Sequence, residues 1–153
     1  METEQTLVLI KPDGVQRGLI GEIVARYERK GLKIIGMKLL QLPLATAEAL
    51  YAVHHRGKPF YETLMRFITS APLVALAVEG RDAIGVVRTL NGATEPLEAR
   101  PGSIRGDFSL NVTHNVVHAS DSAETARREL RILFAPDELY VYRRIDEAVL
   151  HPQ

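Results

Sequence analysis

The octet Asn115-Val116-Val117-His118-Ala119-Ser120-Asp121-Ser122 constrains this chain most, because it joins a strand signal directly to a helix start. Val116 and Val117 are β-branched and favour an extended, half-buried backbone. Ser120, Asp121 and Ser122 are good N-cap residues standing before the amphipathic segment Ala123 to Phe134. A strand should therefore run into a helix, with His118 at the strand's end. In that helix Ala126, Leu130 and Leu133 recur at helical spacing as a buried stripe, and Asp121 with Glu124 has the capping-box spacing. Glu129 lies beside the stripe and within reach of His118. Neutral imidazole is nucleophilic near pH 7 without a separate base, but it needs the right tautomer, which a carboxylate on the other ring nitrogen would fix. A lone histidine after two valines is otherwise an ordinary hydrogen-bonded residue, so the octet alone does not establish catalysis.

The 153 residues fit one domain, 1–153, able to bury about two-thirds of its unfolded surface. Without cysteine there is no disulfide, iron–sulfur ligation or thiol nucleophile, and the chain suits a reducing compartment. The 19 basic and 19 acidic residues leave no global field for nucleic acid or anionic membrane, so any anion site must be a local cluster. Arg127, Arg128 and Arg131 share one helix and read as a solvated face. The acidic, polar start Met1-Glu2-Thr3-Glu4-Gln5 and the short apolar runs predict a cytoplasmic protein with no membrane span.

Along the chain, Leu7 to Ile10 reads as a buried strand closed by the turn Lys11-Pro12-Asp13-Gly14, and Ile20, Ile23, Val24 and Tyr27 mark a helix ending at Gly31. Leu32 to Leu42 predicts a second strand with Ile35, Met37 and Leu39 on one face. Two short helices follow between Ala45 and Thr69, split by His54-His55-Arg56-Gly57-Lys58-Pro59, with both histidines facing solvent. A strand over Leu73 to Val78 stops before Gly80, and Ala83 to Leu90 forms a helix with Ile84, Val87 and Leu90 inward. Gly92 to Ser103, with Pro96 and Pro101, is a long irregular loop of the kind used for function or assembly. With the helix pair set aside, the order is strand, helix, strand, strand, helix, strand. That order predicts an α+β, ferredoxin-like (split βαβ) fold with a four-stranded antiparallel sheet and surrounding helices. A doubly wound α/β sheet is the runner-up.

No GxxxxGK[ST] or GxGxxG occurs, so phosphate binding would fall to side chains. His114 and His118 have the spacing of a helical metal pair, but in extended chain they would stand about 13 Å apart, and no metal site is expected. Lys11, Arg88 and Arg105 are the basic residues next to predicted element ends; Thr94 and Asn115 are unremarkable singly.

The motifs Val8-Leu9-Ile10-Lys11-Pro12-Asp13-Gly14-Val15-Gln16-Arg17-Gly18-Leu19-Ile20-Gly21-Glu22-Ile23, Gly57-Lys58-Pro59-Phe60, Gly92-Ala93-Thr94, Gly102-Ser103-Ile104-Arg105-Gly106-Asp107-Phe108 and the His118 octet resemble the nucleoside diphosphate kinase family over nearly the whole chain. The resemblance implies a ping-pong phosphotransferase. His118 would take the γ-phosphate of ATP or another nucleoside triphosphate as phosphohistidine and give it to a nucleoside diphosphate. It implies that Lys11 and Asn115 meet ribose hydroxyls and phosphates, that Arg88, Thr94 and Arg105 meet phosphates, that Phe60 and Val112 meet the base, and that Tyr51 and Glu129 stand beside His118. It further implies Mg²⁺ arriving with the nucleotide, and a homo-oligomer, tetramer or hexamer. The chain departs from the family pattern at His114, where arginine is usual, and at Ala119, where glycine is usual; a need for φ > 0 at 119 would cost on the order of 1 kcal/mol. The stretch from Tyr51 to Phe60 is one residue longer than in many relatives, and residues 140–153 match no motif. A nucleotide-binding regulator without turnover, or a nucleic-acid-binding protein, are the readings from other classes.

Overall fold

The computed structural model describes residues 3–152, without the side chains of Val53 and His54. The expectation for His54 therefore lies outside the described residues. The strands are β1 (Thr3–Ile10), β2 (Lys33–Leu40), β3 (Leu73–Arg81) and β4 (Val117–Ala119). The helices are α1 (Pro12–Gln16), α2 (Ile20–Lys30), α3 (Leu44–His55), α4 (Tyr61–Ile68), α5 (Ala83–Asn91), α6 (Ile104–Phe108), α7 (Ala123–Leu133) and α8 (Glu147–Leu150).

The strands form one sheet in the order β2-β3-β1-β4, every neighbouring pair antiparallel, which is the predicted ferredoxin-like α+β arrangement. Side chains alternate across the sheet, and both faces of the two central strands are covered. Leu7, Leu9, Leu73 and Ala75 pack with Leu50, Leu64, Ile68, Leu130 and Leu133 under α3, α4 and α7. Val8, Ile10, Val74, Leu76 and Val78 pack with Ile23, Tyr27 and Val87 under α2 and α5. Burial on both faces is why β1 and β3 read as unbroken apolar runs.

Several expectations are corrected. Lys11-Pro12-Asp13-Gly14 does not make a simple turn: Pro12, at the first helical position where its missing N–H costs nothing, starts α1. A bulge at Ile35 breaks the alternation of β2. Ile35 stays in the core, whereas Met37 and Leu39, at 53% and 63% exposed, point from the opposite face of this edge strand. β3 runs on through Gly80, because a Cβ there would stand 2.8 Å from Leu32 Cδ2 and glycine admits that close approach. The loop after α5 holds a single 3₁₀ turn, Pro96–Glu98. Arg128 is no solvated face residue, since its Nη1 donates to the Ala49 carbonyl at 2.9 Å.

The segment after α7, illegible in sequence, runs back along β2. Tyr140 N–H donates to Ile35 O at 2.9 Å, and Arg144 Nη1 donates to the Glu28 and Leu32 carbonyls at 3.0 and 2.8 Å. Lys33 closes the strap through Glu147 at 2.7 Å.

Candidate active site

β4 sets the site. His118 pairs with Leu9 across the β1–β4 ladder, so its side chain lies on the face that α3 and α7 cover. It occupies the middle of β4, which continues to Ala119 before the chain turns into α7. Ser122 caps α7, its Oγ accepting from Thr125 N at 3.1 Å. The predicted Asp121–Glu124 capping box is thus replaced by a single Ser122 cap, one residue later. This start sets the phase of α7 so that Glu129, in line with the core residues Ala126, Leu130 and Leu133, faces the sheet with only 1% of its surface exposed.

Both Glu129 oxygens lie 3.2 Å from His118 Nε2, and Ser120 Oγ donates to Oε1 at 2.6 Å. Burial pushes the Glu129 carboxyl up, but the hydrogen bonds and charge of His118, the Ser120 hydroxyl and Arg128 outweigh it and hold it below the usual carboxylate range. An ionised carboxylate only accepts, so Nε2 carries a proton, and in the neutral imidazole the lone pair is then on Nδ1. The Tyr51 ring packs edge-on to the imidazole, centroids 5.2 Å apart. Burial, reinforced by Glu129, pushes the Tyr51 phenol well up, so it stays neutral. Ser120 was not found from sequence; its only signal there was its place among the capping residues.

The chain entering β4 is strained. Val116 has φ 74°, which for a β-branched residue costs on the order of 1–3 kcal/mol, contrary to its expected extended form. Val117 N–H donates back to Asn115 O at 2.8 Å, so Val116 is the centre of a γ-turn. Ala119 lies in ordinary strand geometry and carries no such cost. Arg105 grips this turn from α6: Nε donates to Asn115 O at 3.2 Å, Nη2 to Val117 O at 2.6 Å and Nη1 to Gly92 O at 2.8 Å. Lys11, at the end of β1, donates through Nζ to Asn115 Oδ1 at 2.7 Å, and Asn115 Nδ2 donates to Thr94 O at 3.1 Å. Burial, the nearby Arg105 charge and a partial offset from Asp13 leave the Lys11 ammonium at about 8. Burial, against a favourable Tyr27, brings Arg105 down to about 10.

These groups line a cleft of about 510 Å³ that also takes in Arg88, Phe60 and Val112, so every sequence-derived candidate is gathered here from both halves of the chain. Its cationic lining is Lys11, Arg88 and Arg105, with Lys58 Nζ 5.9 Å over the Phe60 ring; its apolar lining is Phe60 and Val112, 45% and 50% exposed, with Leu64. His55 is corrected: it lines the cleft with its ring 5.2 Å from Phe60 and 6.0 Å from Tyr51. Lys58, Asn91, Thr113, Asp121 and Thr125 are further polar lining groups that sequence patterns did not single out. His114 instead packs its ring, tilted by 60°, against Phe67, centroids 4.4 Å apart.

Among the described residues no group of three or more histidine, aspartate or glutamate side chains could hold a metal ion. The lining carboxylates are Asp121 and Glu129, and Glu129 is engaged by His118 and Ser120. The donor set fits a divalent cation only if phosphate oxygens supply most of its ligands.

Residues 4–139 match the family described as nucleoside diphosphate kinase. The chain is 57% identical over 144 residues to a nucleoside diphosphate kinase of Archaeoglobus fulgidus, covering 94% of this chain and 95% of that one. It is 59% identical over 139 residues to that of Staphylothermus marinus, covering 91% and 98%. Among solved structures it resembles the halophilic nucleoside diphosphate kinase of Halobacterium salinarum in complex with CDP, with a TM-score of 0.94, 44% identity and coverage of 98% and 99%. It also resembles a transition-state mimic of the Borrelia burgdorferi enzyme with bound vanadate and ADP, with a TM-score of 0.90, 40% identity and 96% of each chain covered.

Proposed function

The chain belongs to the nucleoside diphosphate kinase family of phosphotransferases, and we propose that it works by ping-pong transfer through a phosphohistidine at His118. The carrying observation is the Glu129 carboxylate on Nε2, which leaves the Nδ1 lone pair to attack. In the first half-reaction the N–P bond to the γ-phosphorus forms as its bond to the β–γ bridging oxygen breaks, releasing a nucleoside diphosphate. In the second, a β-phosphate oxygen of another nucleoside diphosphate attacks the same phosphorus and the N–P bond returns its electrons to the imidazole. Such transfer is mainly positioning and charge stabilisation.

Lys11 and Asn115 would meet ribose hydroxyls and phosphates, Arg88, Thr94 and Arg105 the phosphates, and Phe60 and Val112 the base, an assignment supported by the cationic and apolar groups that line the cleft together. Arg105 spends one N–H from each nitrogen on carbonyls, which leaves two of its five for phosphate. Tyr51 would wall the imidazole. Mg²⁺ would enter on the nucleotide and neutralise phosphate charge. The protein would act in the cytoplasm, with no nucleic-acid or membrane partner; lack of cysteine suits that compartment. It would assemble as a closed homo-oligomer, tetramer or hexamer. Met37 and Leu39 on the edge strand, with Val141, Ile145 and Val149 on the strap beside it, are exposed apolar surface available for that purpose. Sedimentation at micromolar concentration should show the oligomer; a 17.0 kDa species would exclude it.

Incubation with γ-labelled ATP and Mg²⁺ should label the protein, and a nucleoside diphosphate should discharge the label as triphosphate. Nucleotide binding without label would identify a regulator instead.

A further inference from the structure

The γ-turn at Val116 is held through its carbonyls and its central N–H. Lys11 N–H donates to Val116 O at 2.8 Å, and Arg105 takes the carbonyls on either side. The remaining group, Val116 N–H, donates at 3.2 Å to Oδ2 of Asp13, a buried carboxylate on α1. Its other oxygen, Oδ1, is buried without a hydrogen-bond partner. A buried carboxylate with one hydrogen bond, from a neutral N–H, and the Lys11 charge met only through space is a poor device for stability alone. The helix is also pressed against the turn, since a Cβ at Gly14 would stand 3.2 Å from Val116 Cγ1 and 3.3 Å from Val116 O.

We propose that Asp13 is a positioning residue for the transfer reaction: through its bond to Val116 N–H it keeps this turn at positive φ and so fixes where His118, two residues on, presents its imidazole. Among the described residues the Val116 N–H bonds to Asp13, and a displacement of about 1 Å at a reacting group can cost on the order of 10²-fold in rate. Arg105 and Asp13 thus hold the turn from opposite sides, the first at its carbonyls and the second at its N–H. The proposal rests on His118 being the nucleophile.

The test is the single-turnover rate of labelling by γ-labelled ATP at saturating nucleotide. Asp13→Ala should label about 10²-fold more slowly with little change in the nucleotide concentration giving half-maximal rate. Asp13→Asn, which keeps an acceptor oxygen, should recover most of the rate. In a Val116→Gly background, where φ 74° carries no strain, Asp13→Ala should cost several-fold less. Wild-type labelling in Asp13→Ala, no recovery in Asp13→Asn, or an equal loss in the glycine background would each overturn the role. If Asp13→Ala alone does not fold, Asp13→Ala/Val116→Gly should fold and label, and its failure would count against the proposal. His118→Asn separates the premise: label surviving there removes the nucleophile, whereas its loss there with normal Asp13→Ala kinetics removes only Asp13.

Discussion

Glu129 meets His118 Nε2 with both carboxylate oxygens at 3.2 Å while Ser120 Oγ takes up Oε1 at 2.6 Å. A buried carboxylate held on two sides in this way fixes an imidazole tautomer and a ring plane together. Glu129→Gln keeps the shape but can present an N–H to Nε2, favouring the wrong tautomer. It should lower kcat by about 10² to 10⁴-fold and change KM much less, because the reacting group is disturbed and the pocket spared. Steady-state kinetics decide it; a rise in KM alone would assign Glu129 to substrate binding.

His118 should carry the label itself. The phosphorylated protein should be acid-labile and alkali-stable, as an N–P bond requires, and His118→Asn should remove the label entirely. Label persisting in that variant would move the nucleophile elsewhere.

Lys11 gives the cleft a pH dependence. Its folded pKa is lowered to about 8, by burial first and then by Arg105. Below pH 8 the ammonium is present for phosphate; above it the charge is progressively lost, so kcat/KM should fall as pH rises through about 8 in the free enzyme. Lys11→Arg keeps its charge and should flatten that alkaline limb. A limb unchanged in the arginine variant would assign the titration to another group.

The strands and helices were legible because burial on both sheet faces or one helix face writes itself into apolar spacing. Gly31 ended α2 as expected, with φ 111°. What the spacing concealed were local departures settled by tertiary contact. The bulge at Ile35 reverses the faces of Met37 and Leu39, and no residue type there announces it. The positive φ of Val116 contradicts its propensity, and the groups that bond to the turn, Asp13, Arg105 and the Lys11 N–H, are distant in sequence. The gathering of the candidates came from family motifs; only His118 and Glu129 were placed together by strand and helix phase. The strap after α7 is held by Arg144, Lys33 and backbone groups, interactions that leave no periodicity.

The N-terminus of α7 offers a structural control. Ser122→Ala removes the Oγ that accepts from Thr125 N, which should cost about 1 kcal/mol and lower Tm by roughly 3 °C. Thermal unfolding measures it. An unchanged Tm would show that the cap contributes nothing net.

Base discrimination should be weak. The apolar lining of the cleft offers Phe60, Val112 and Leu64, and any base has a face that can stack on an aromatic ring whatever its hydrogen-bonding edge. Apolar differences supply only about 10 to 200-fold selectivity, whereas a site built to hydrogen-bond one partner reaches about 10⁴ to 10⁵-fold. Two polar side chains stand beside the Phe60 ring: Lys58, with Nζ 5.9 Å over it, and His55, edge-on at 5.2 Å and also against Tyr51, and both support the aromatic wall. Adenine, guanine, cytosine and uracil diphosphates, accepting from one common donor, should therefore fall within about 200-fold in kcat/KM. His55→Leu should leave their order unchanged, since it removes a ring neighbour and no base contact. A spread well beyond that range which collapses in His55→Leu would instead make His55 a base-reading group, with its imidazole rather than the phosphate end setting the preference.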